Sequence, residues 1–270
     1  MIKLNGHIIE PTIFPDGTSQ VWKIPEEVFK KREVLEMSIV WDFRSESEFI
    51  HLAQLCDLLQ SKGLEVDNLH IPYFPYARQD KEVSNNTTFA KSTFMKLLNN
   101  LPGIRGISSV DIHSNNFNPS KFHWDNTPFC QITQVYSQSE ATMICFPDTG
   151  ASIRYNNLPK YAGSRKFCSM SKERDQDTGY IKRIYMNELV SVKDEVVLIV
   201  DDLCDGGMTF KLTAEKLLQC GAKEVILYTT HGIYSKGVKT LLDSGISRVF
   251  NYKGEVFPHK QTRFLLKEFK

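Results

Sequence analysis

Apolar residues along this chain switch repeatedly between two spacings, and the switching predicts the architecture. From Glu46 to Lys62, Phe49, Ile50, Leu52, Ala53, Leu55, Cys56, Leu58 and Leu59 recur at helical intervals, and Gly63 follows where a helix can turn left-handed and stop. Val66–Phe74 then reads as a strand, Phe89–Leu101 as a helix and Gly106–Ile112 as a strand with a polar far end. The rhythm repeats downstream. Thr142–Phe146, Lys166–Met170, Val196–Val200 and Val225–Thr230 have strand character, with Ser152–Leu158 and Thr209–Cys220 as helices between them. The first forty residues alternate short β-branched and aromatic runs around a turn at Pro15-Asp16-Gly17-Thr18, which predicts a hairpin or sheet edge. Phe264, Leu265 and Phe269 place a final helical segment in Gln261–Lys270, packed back on either half. The pattern is βαβ throughout and predicts an α/β protein. No fixed-period repeat or Gly/Ser linker divides it, and a boundary near Thr127–Ile132 gives domains at 1–129 and 130–270 that are expected to share a cleft.

Composition narrows the function classes. With 41% hydrophobic and 24% charged residues in 270, the chain can bury one large core or two modest ones. Thirty-three basic and thirty-two acidic residues leave a net charge of +1, so no global field draws it to nucleic acid or an anionic membrane, and an anionic ligand must be held locally. None of the six cysteines forms a CxxC pair, which argues against a zinc ribbon or thioredoxin-type site and fits a reducing cytoplasm. The start, MIKLNGHIIEPTIF, has no secretory-signal pattern, and apolar runs such as Val196–Val200 are too short to span a bilayer.

Five segments carry chemistry. In Val196-Val197-Leu198-Ile199-Val200-Asp201-Asp202-Leu203-Cys204-Asp205-Gly206-Gly207-Met208-Thr209, an apolar strand runs into an acidic pair and a glycine loop that opens a helix. Backbone N–H groups of such a loop, the helix N-terminus and the Thr209 hydroxyl can cradle a phosphate. Asp201 and Asp202 beside that phosphate require hydroxyl donors or a metal, and a sugar phosphate meets both demands. A strand-to-helix turn capped by Asp205 would account for the glycines without any ligand. In Ile71-Pro72-Tyr73-Phe74-Pro75-Tyr76-Ala77-Arg78-Gln79-Asp80-Lys81, prolines stiffen an aromatic run ahead of a planar phosphate-binding fork and an amide; a solvated loop is the plain alternative. Val110-Asp111-Ile112-His113-Ser114 puts His113 near a strand's carboxyl end, and Phe146-Pro147-Asp148-Thr149-Gly150-Ala151-Ser152 delivers Asp148 to a loop that starts a helix, where simple capping would also explain it. Polar residues ending several strands point jointly to a ligand site, because open parallel sheets bind at the carboxyl ends of their strands. Ser171-Lys172-Glu173-Arg174-Asp175-Gln176-Asp177-Thr178-Gly179 reads as a mobile charged loop; closed over a phosphate, its Lys172 and Arg174 could neutralise a transferring group.

Together these segments resemble the ribose-phosphate pyrophosphokinases. PYFPYARQDK is similar to that family's PYFGYARQDR, VDIHS to VDLHA, FPDTGAS to SPDxGG, SKERDQD to the catalytic flexible loop with its KxR element, and IVDDLCDGGMT to VDDxxDTxGT, all in the family's order. The resemblance implies two phosphoribosyltransferase-like (Rossmann-like) domains, each a mostly parallel sheet flanked by helices. It implies that Arg78, Gln79 and His113 contact ATP, that His113 and Asp148 hold Mg²⁺, and that Lys172 and Arg174 act in the transition state. Asp201, Asp202, Asp205, Gly206, Gly207, Met208 and Thr209 would bind ribose 5-phosphate. The adenine-side FSDGE segment is matched by Phe14-Pro15-Asp16-Gly17-Thr18, which keeps Phe14 and Asp16 and puts Thr18 in place of the acid. In the phosphate loop Gly206 replaces the usual Thr and Met208 the usual Gly. The compact form is similar to versions encoded by large bacteriophages in NAD salvage cassettes. The implied reaction moves the β,γ-diphosphoryl group of Mg-ATP to the C1 hydroxyl of ribose 5-phosphate, in a cytoplasmic homodimer or higher homo-oligomer with no nucleic-acid or membrane partner. A phosphoribosyltransferase would use the same phosphate loop without needing Arg78 and Gln79. A non-catalytic regulatory subunit would be expected to have lost the KxR or His/Asp residues, which are intact here.

Overall fold

The computed structural model describes residues 1–22, 24–29, 37–82, 84–114, 122–126, 128–164, 166–174, 181–187 and 190–257. They fall into two compact units, Met1–Thr127 and Pro128–Lys270.

In the first unit, β1 (Ile2–Leu4) and β2 (His7–Ile9) form a hairpin across Asn5-Gly6, both at positive φ (48° and 86°), the turn geometry that matches strand twist. A separate small hairpin, β3 (Thr12–Ile13) with β4 (Ser19–Gln20), frames Phe14–Thr18. It is pinned to α1 (Glu48–Ser61): His51 Nε2 lies 2.6 Å from Ser19 Oγ, while Gln54 accepts from Val21 N (2.7 Å) and donates to Ser19 O (3.0 Å). β5 (Met37–Trp41) pairs antiparallel with β1 and parallel with β6 (Val66–Ile71), and α2 (Ala90–Asn99), β7 (Gly106–Val110) and β8 (Phe122–Asn126) complete the sheet in the order β2-β1-β5-β6-β7-β8. Helix α1 ends as its sequence requires. Gly63 takes φ +68°, its N–H bonding to Gln60 O and that of Leu64 to Leu59 O, so orphan carbonyls are satisfied by a Schellman turn.

The second unit contains α3 (Phe129–Gln138), β9 (Met143–Phe146), α4 (Thr149–Arg154), α5 (Leu158–Tyr161), β10 (Phe167–Arg174), β11 (Ile181–Met186), β12 (Val196–Cys204), α6 (Met208–Gln219), β13 (Glu224–Gly232), α7 (Lys239–Leu242), β14 (Ile246–Asn251) and β15 (Gly254–Glu255). Its sheet runs β11-β10-β9-β12-β13-β14-β15, with antiparallel strands only at the two edges. Alternation in the strands serves two cores. Val197, Ile199, Met143, Cys145, Val225 and Leu227 pack with Phe210, Ala214 and Leu217 of α6; Leu198, Val200, Ile144, Phe146, Ile226 and Tyr228 pack with Ile132 and Val135 of α3 and with Tyr155 and Leu158. A sheet covered on both faces needs such continuous apolar runs. Among the five parallel strands the order reverses between β9 and β12, which makes that crevice the switch point.

The fold is α/β as expected, with corrections at element ends. The strand expected at Val66–Phe74 stops at Ile71, before Pro72, which brings no N–H to a ladder. The single helix expected at Ser152–Leu158 is two short helices, the second with Pro159 in its first turn, where a missing N–H costs nothing. β12 continues four residues beyond Val200, so Asp201 and Asp202 are strand residues rather than loop residues, paired along β13 in register Asp201↔Thr229. Ser171–Arg174 is not a mobile loop: it is the end of β10, paired with β11. Asp175–Gly179 and the helix expected at Gln261–Lys270 lie outside the described residues. All six cysteines are free thiols, and no helix among the described residues is long and apolar enough to cross a membrane.

Gly63→Ala tests the α1 terminus. No atom lies within 4 Å of an added Cβ, so only the left-handed backbone opposes the change. The expected loss is about 1–2 kcal/mol, read as a lowered urea midpoint with an unchanged slope.

Candidate active site

Three carboxylates gather where β9 and β12 end. Asp148 follows the buried Pro147 and caps α4, accepting from Ala151 N at 3.0 Å. It also accepts from Lys172 Nζ at 2.6 Å, so its capping and ion-pairing roles coexist. Burial works to raise the Asp148 pKa, but the hydrogen bond and charge of Lys172 with the Ala151 N–H outweigh it and hold the carboxyl below its ordinary value. Asp201 is pushed the other way. Burial first, then the Asp202 and Asp148 carboxylates, raise it well above the usual carboxylate range. Asp202 is 4% exposed and lies 3.8 Å from Arg154 Nη2 on α4. Lys172 reaches Asp148 because β10 stays extended past its pairing with β9 and is held there by β11, opposite Ile184.

Beyond the carboxylates the chain turns through Asp205-Gly206-Gly207 into α6. The helix N-cap is Gly207, with no side-chain cap, so the expected alternative of an Asp205 cap does not hold. Glycine is required at 207: φ is +77°, and an added Cβ would lie 2.7 Å from Leu241 Cδ2. The back of this loop is fixed by Cys204 O, which accepts from Ile233 N (2.8 Å) and Tyr234 N (3.1 Å). Tyr234 packs its ring against Gly232, where any Cβ would clash, and its hydroxyl is 3.3 Å from Thr229 Oγ1. Thr209 is in the first turn of α6, Met208 is 47% exposed, and the buried Cys204 thiol is pushed up to about 12, which excludes it as a thiolate nucleophile at neutral pH.

The other expected site residues lie in the first unit. Phe74 and Tyr76 anchor the aromatic run against Phe94 (ring centroids 5.4 and 5.0 Å), and Tyr76 OH donates to Glu46 at 2.6 Å. Tyr76 takes φ +62° and turns the chain, Gln79 N bonding Tyr76 O at 3.0 Å, so Arg78 and Gln79 emerge exposed. His113 is exposed three residues beyond β7. Phe14 meets Trp22 edge-on at 5.8 Å, and Asp16 accepts from the Thr18 hydroxyl (2.7 Å) and N–H (3.0 Å), which lowers its pKa. Thr18 therefore orients the acid beside it.

The structure thus brings Asp148, Lys172, Asp201 and Asp202 together beside the glycine loop, with Arg154 as a member the sequence did not announce. Arg154 carries no motif; its position on α4 only matters once the β9–β12 crevice exists. Arg174 ends β10. Among the described residues no group of three or more His, Cys, Asp or Glu could hold a metal ion by itself. Mg²⁺ is a hard cation usually bound through one or two carboxylates plus substrate phosphates, and the half-buried Asp148 carboxylate is a ligand of that type.

A switch-point crevice with an acidic pair, a glycine loop and a glycine N-cap is the arrangement of a phosphoribosyltransferase-type α/β domain, and residues 131–262 match the phosphoribosyl transferase domain model. The chain is 27% identical over 252 residues to a ribose-phosphate pyrophosphokinase of Mycoplasmopsis pulmonis, covering 91% of this chain and 75% of that protein, and 24% identical to that of Aeropyrum pernix, covering 78% and 68%. The crystal structure of phosphoribosylpyrophosphate synthetase from Mycobacterium smegmatis superposes with a TM-score of 0.71 at 20% identity, covering 90% of this chain and 79% of that one. The chain is thus similar over most of its length to ribose-phosphate pyrophosphokinases, and its fold is that of the phosphoribosylpyrophosphate synthetase structure.

Asp201 makes a stability prediction. A carboxyl whose folded-state pKa is raised destabilises the fold as pH climbs past its unfolded value near 3.9, and the penalty is complete above the folded value. Asp201→Asn should therefore raise Tm at pH 7. The gain should vanish below about pH 4; an equal gain at all pH values would assign it to something other than charge.

Proposed function

We propose that this chain transfers the β,γ-diphosphoryl group of Mg-ATP to the C1 hydroxyl of ribose 5-phosphate, giving AMP and 5-phosphoribosyl 1-diphosphate. The observation that carries the reading is the junction of Lys172–Asp148 with Asp201–Asp202 and the Gly206–Thr209 loop in one crevice. Backbone N–H groups of that loop and of the first turn of α6 hold the 5-phosphate. Asp201 and Asp202 accept from the ribose hydroxyls, an assignment their shared negative charge favours because hydroxyl donors and cations relieve it. The C1 hydroxyl oxygen attacks the β-phosphorus, the bond between that phosphorus and the α,β-bridging oxygen breaks, AMP departs with the bridging oxygen, and the hydroxyl proton is released to solvent. Such transfer depends mainly on positioning and charge neutralisation. Lys172 and Arg174 supply charge to the transferring group, while Arg78, Gln79, Phe14 and Asp16 bind the nucleotide. Asp148 and His113 are the ligand types that the resemblance implies for Mg²⁺, which, bound with the phosphates, would withdraw charge from the diphosphoryl oxygens. Assembly as a homo-oligomer in the cytoplasm belongs to the same reading and rests on the family relation.

The phosphoribosyl transferase domain match at residues 131–262 favours one second reading, a phosphoribosyltransferase that consumes the diphosphate instead of making it. Incubation of the protein with Mg-ATP and ribose 5-phosphate separates the two. Equimolar AMP and 5-phosphoribosyl 1-diphosphate, resolved by mass spectrometry, are expected; no diphosphate ester with any nucleotide would sink the synthase reading. Lys172→Ala should lower kcat by about 100-fold or more, the scale of losing one preorganised charge in a transition state, and leave ribose 5-phosphate affinity within twofold. Unchanged turnover would remove Lys172 from the mechanism.

A further inference from the structure

Lys91 is a fully buried lysine, 1% exposed, in the second position of α2. An ammonium there meets two penalties, loss of water and the positive end of the helix dipole. Leucine or methionine would fill the space without either. What they could not do is donate a hydrogen bond. Lys91 Nζ donates to Ser114 O at 2.7 Å and approaches Ser114 Oγ at 3.3 Å, immediately after His113. Its backbone N–H donates to Gln79 O at 3.2 Å, immediately after Arg78. One residue is thus hydrogen-bonded at once to the two chain segments, otherwise 34 positions apart, that present Gln79 and His113. Behind it, Phe94 on the same helix packs on Phe74 and Tyr76, so helix and aromatic run form one rigid block.

We propose that Lys91 is a positioning residue that sets the spacing between the Arg78-Gln79 turn and the His113-Ser114 segment, and through that spacing the affinity for Mg-ATP. The inference rests on the ATP-side assignment made above. It requires a long, straight donor: Lys91 is buried on α2 and its Nζ holds a carbonyl whose residue follows His113 directly. A hydrogen bond in such a dry setting is electrostatically stronger than the same bond in water.

The test compares the full chain with Lys91→Met and Lys91→Arg, measuring kcat and both KM values, and Mg-ATP affinity by calorimetry in the absence of ribose 5-phosphate. Lys91→Met is expected to raise KM and Kd for Mg-ATP about tenfold and leave KM for ribose 5-phosphate within twofold; Lys91→Arg should recover part of the nucleotide affinity. Equal changes in both KM values, or none, would overturn the inference, since a merely structural lysine has no reason to separate the substrates. Wild-type protein that binds Mg-ATP yet forms no diphosphate ester would end the proposed reaction while the Mg-ATP affinities still judge Lys91. Should Lys91→Met not fold, hydrogen exchange of the native chain decides. Mg-ATP is expected to protect residues 76–82 and 111–114 together, and protection of one segment alone overturns the coupling.

Discussion

Mutual repulsion among Asp148, Asp201 and Asp202 is the constraint around which the second unit is arranged. Parallel strands β9 and β12 are neighbours, so residues at their carboxyl ends are forced into one another's company; unit charges about 4 Å apart repel by ~4 kcal/mol at an effective dielectric of 20. Each carboxylate is handled differently. Asp148 is compensated by a lysine and a helix N–H and stays ionised; Asp202 faces Arg154; Asp201, shifted first by burial and then by its two acidic neighbours, moves toward its protonated form. The placement of Lys172 follows from this need. Its strand must continue beyond the parallel ladder to bring an ammonium to Asp148, and the antiparallel edge strand β11 makes that continuation possible by pairing with it.

The same constraint selects the ligand chemistry. A crevice with surplus negative charge at its centre rejects a bare anion, yet the helix N-terminus and glycine loop beside it attract one. On the proposed reading, a molecule with separated parts, hydroxyl donors for the aspartates and a phosphate for the loop, satisfies both.

Much of this was legible in the chain. The apolar runs of β9, β12 and β13 located the sheet because strands buried on both faces cannot hide their composition, and Asp148, Asp201 and Asp202 could be placed at strand ends from those runs alone. What escaped had a physical reason. Lys172 reads as loop sequence because SKER has no apolar alternation; its strand character comes from pairing with β11, a non-local cause. Arg154 and Lys91 lie on helices whose charged residues ordinarily face water, and nothing in one dimension distinguishes an arginine that meets Asp202 or a lysine that threads to Ser114. The extension of β12 through Cys204 was hidden by two aspartates, poor strand formers that the register with β13 overrides.

The two glycines of the phosphate loop show how geometry separates necessity from chemistry. At Gly207 the left-handed backbone and the nearness of Leu241 leave no alternative residue. At Gly206 neither condition applies: φ lies outside the left-handed region, and an added Cβ would make ordinary contacts, 3.7 Å from Lys236 Cε and 3.9 Å from Ser235 Oγ. The loop could carry a threonine there, as the resembling family usually does, without rearrangement of its backbone. Its absence leaves the cradle to backbone N–H groups and Thr209, and leaves the stem of Lys236 beside the space a hydroxyl would fill. The difference from the family pattern at this position is therefore one of donor identity, made on a backbone that would accept either, whereas the difference at Met208 sits on the exposed first residue of α6, where a side chain changes the loop's surface and not its course.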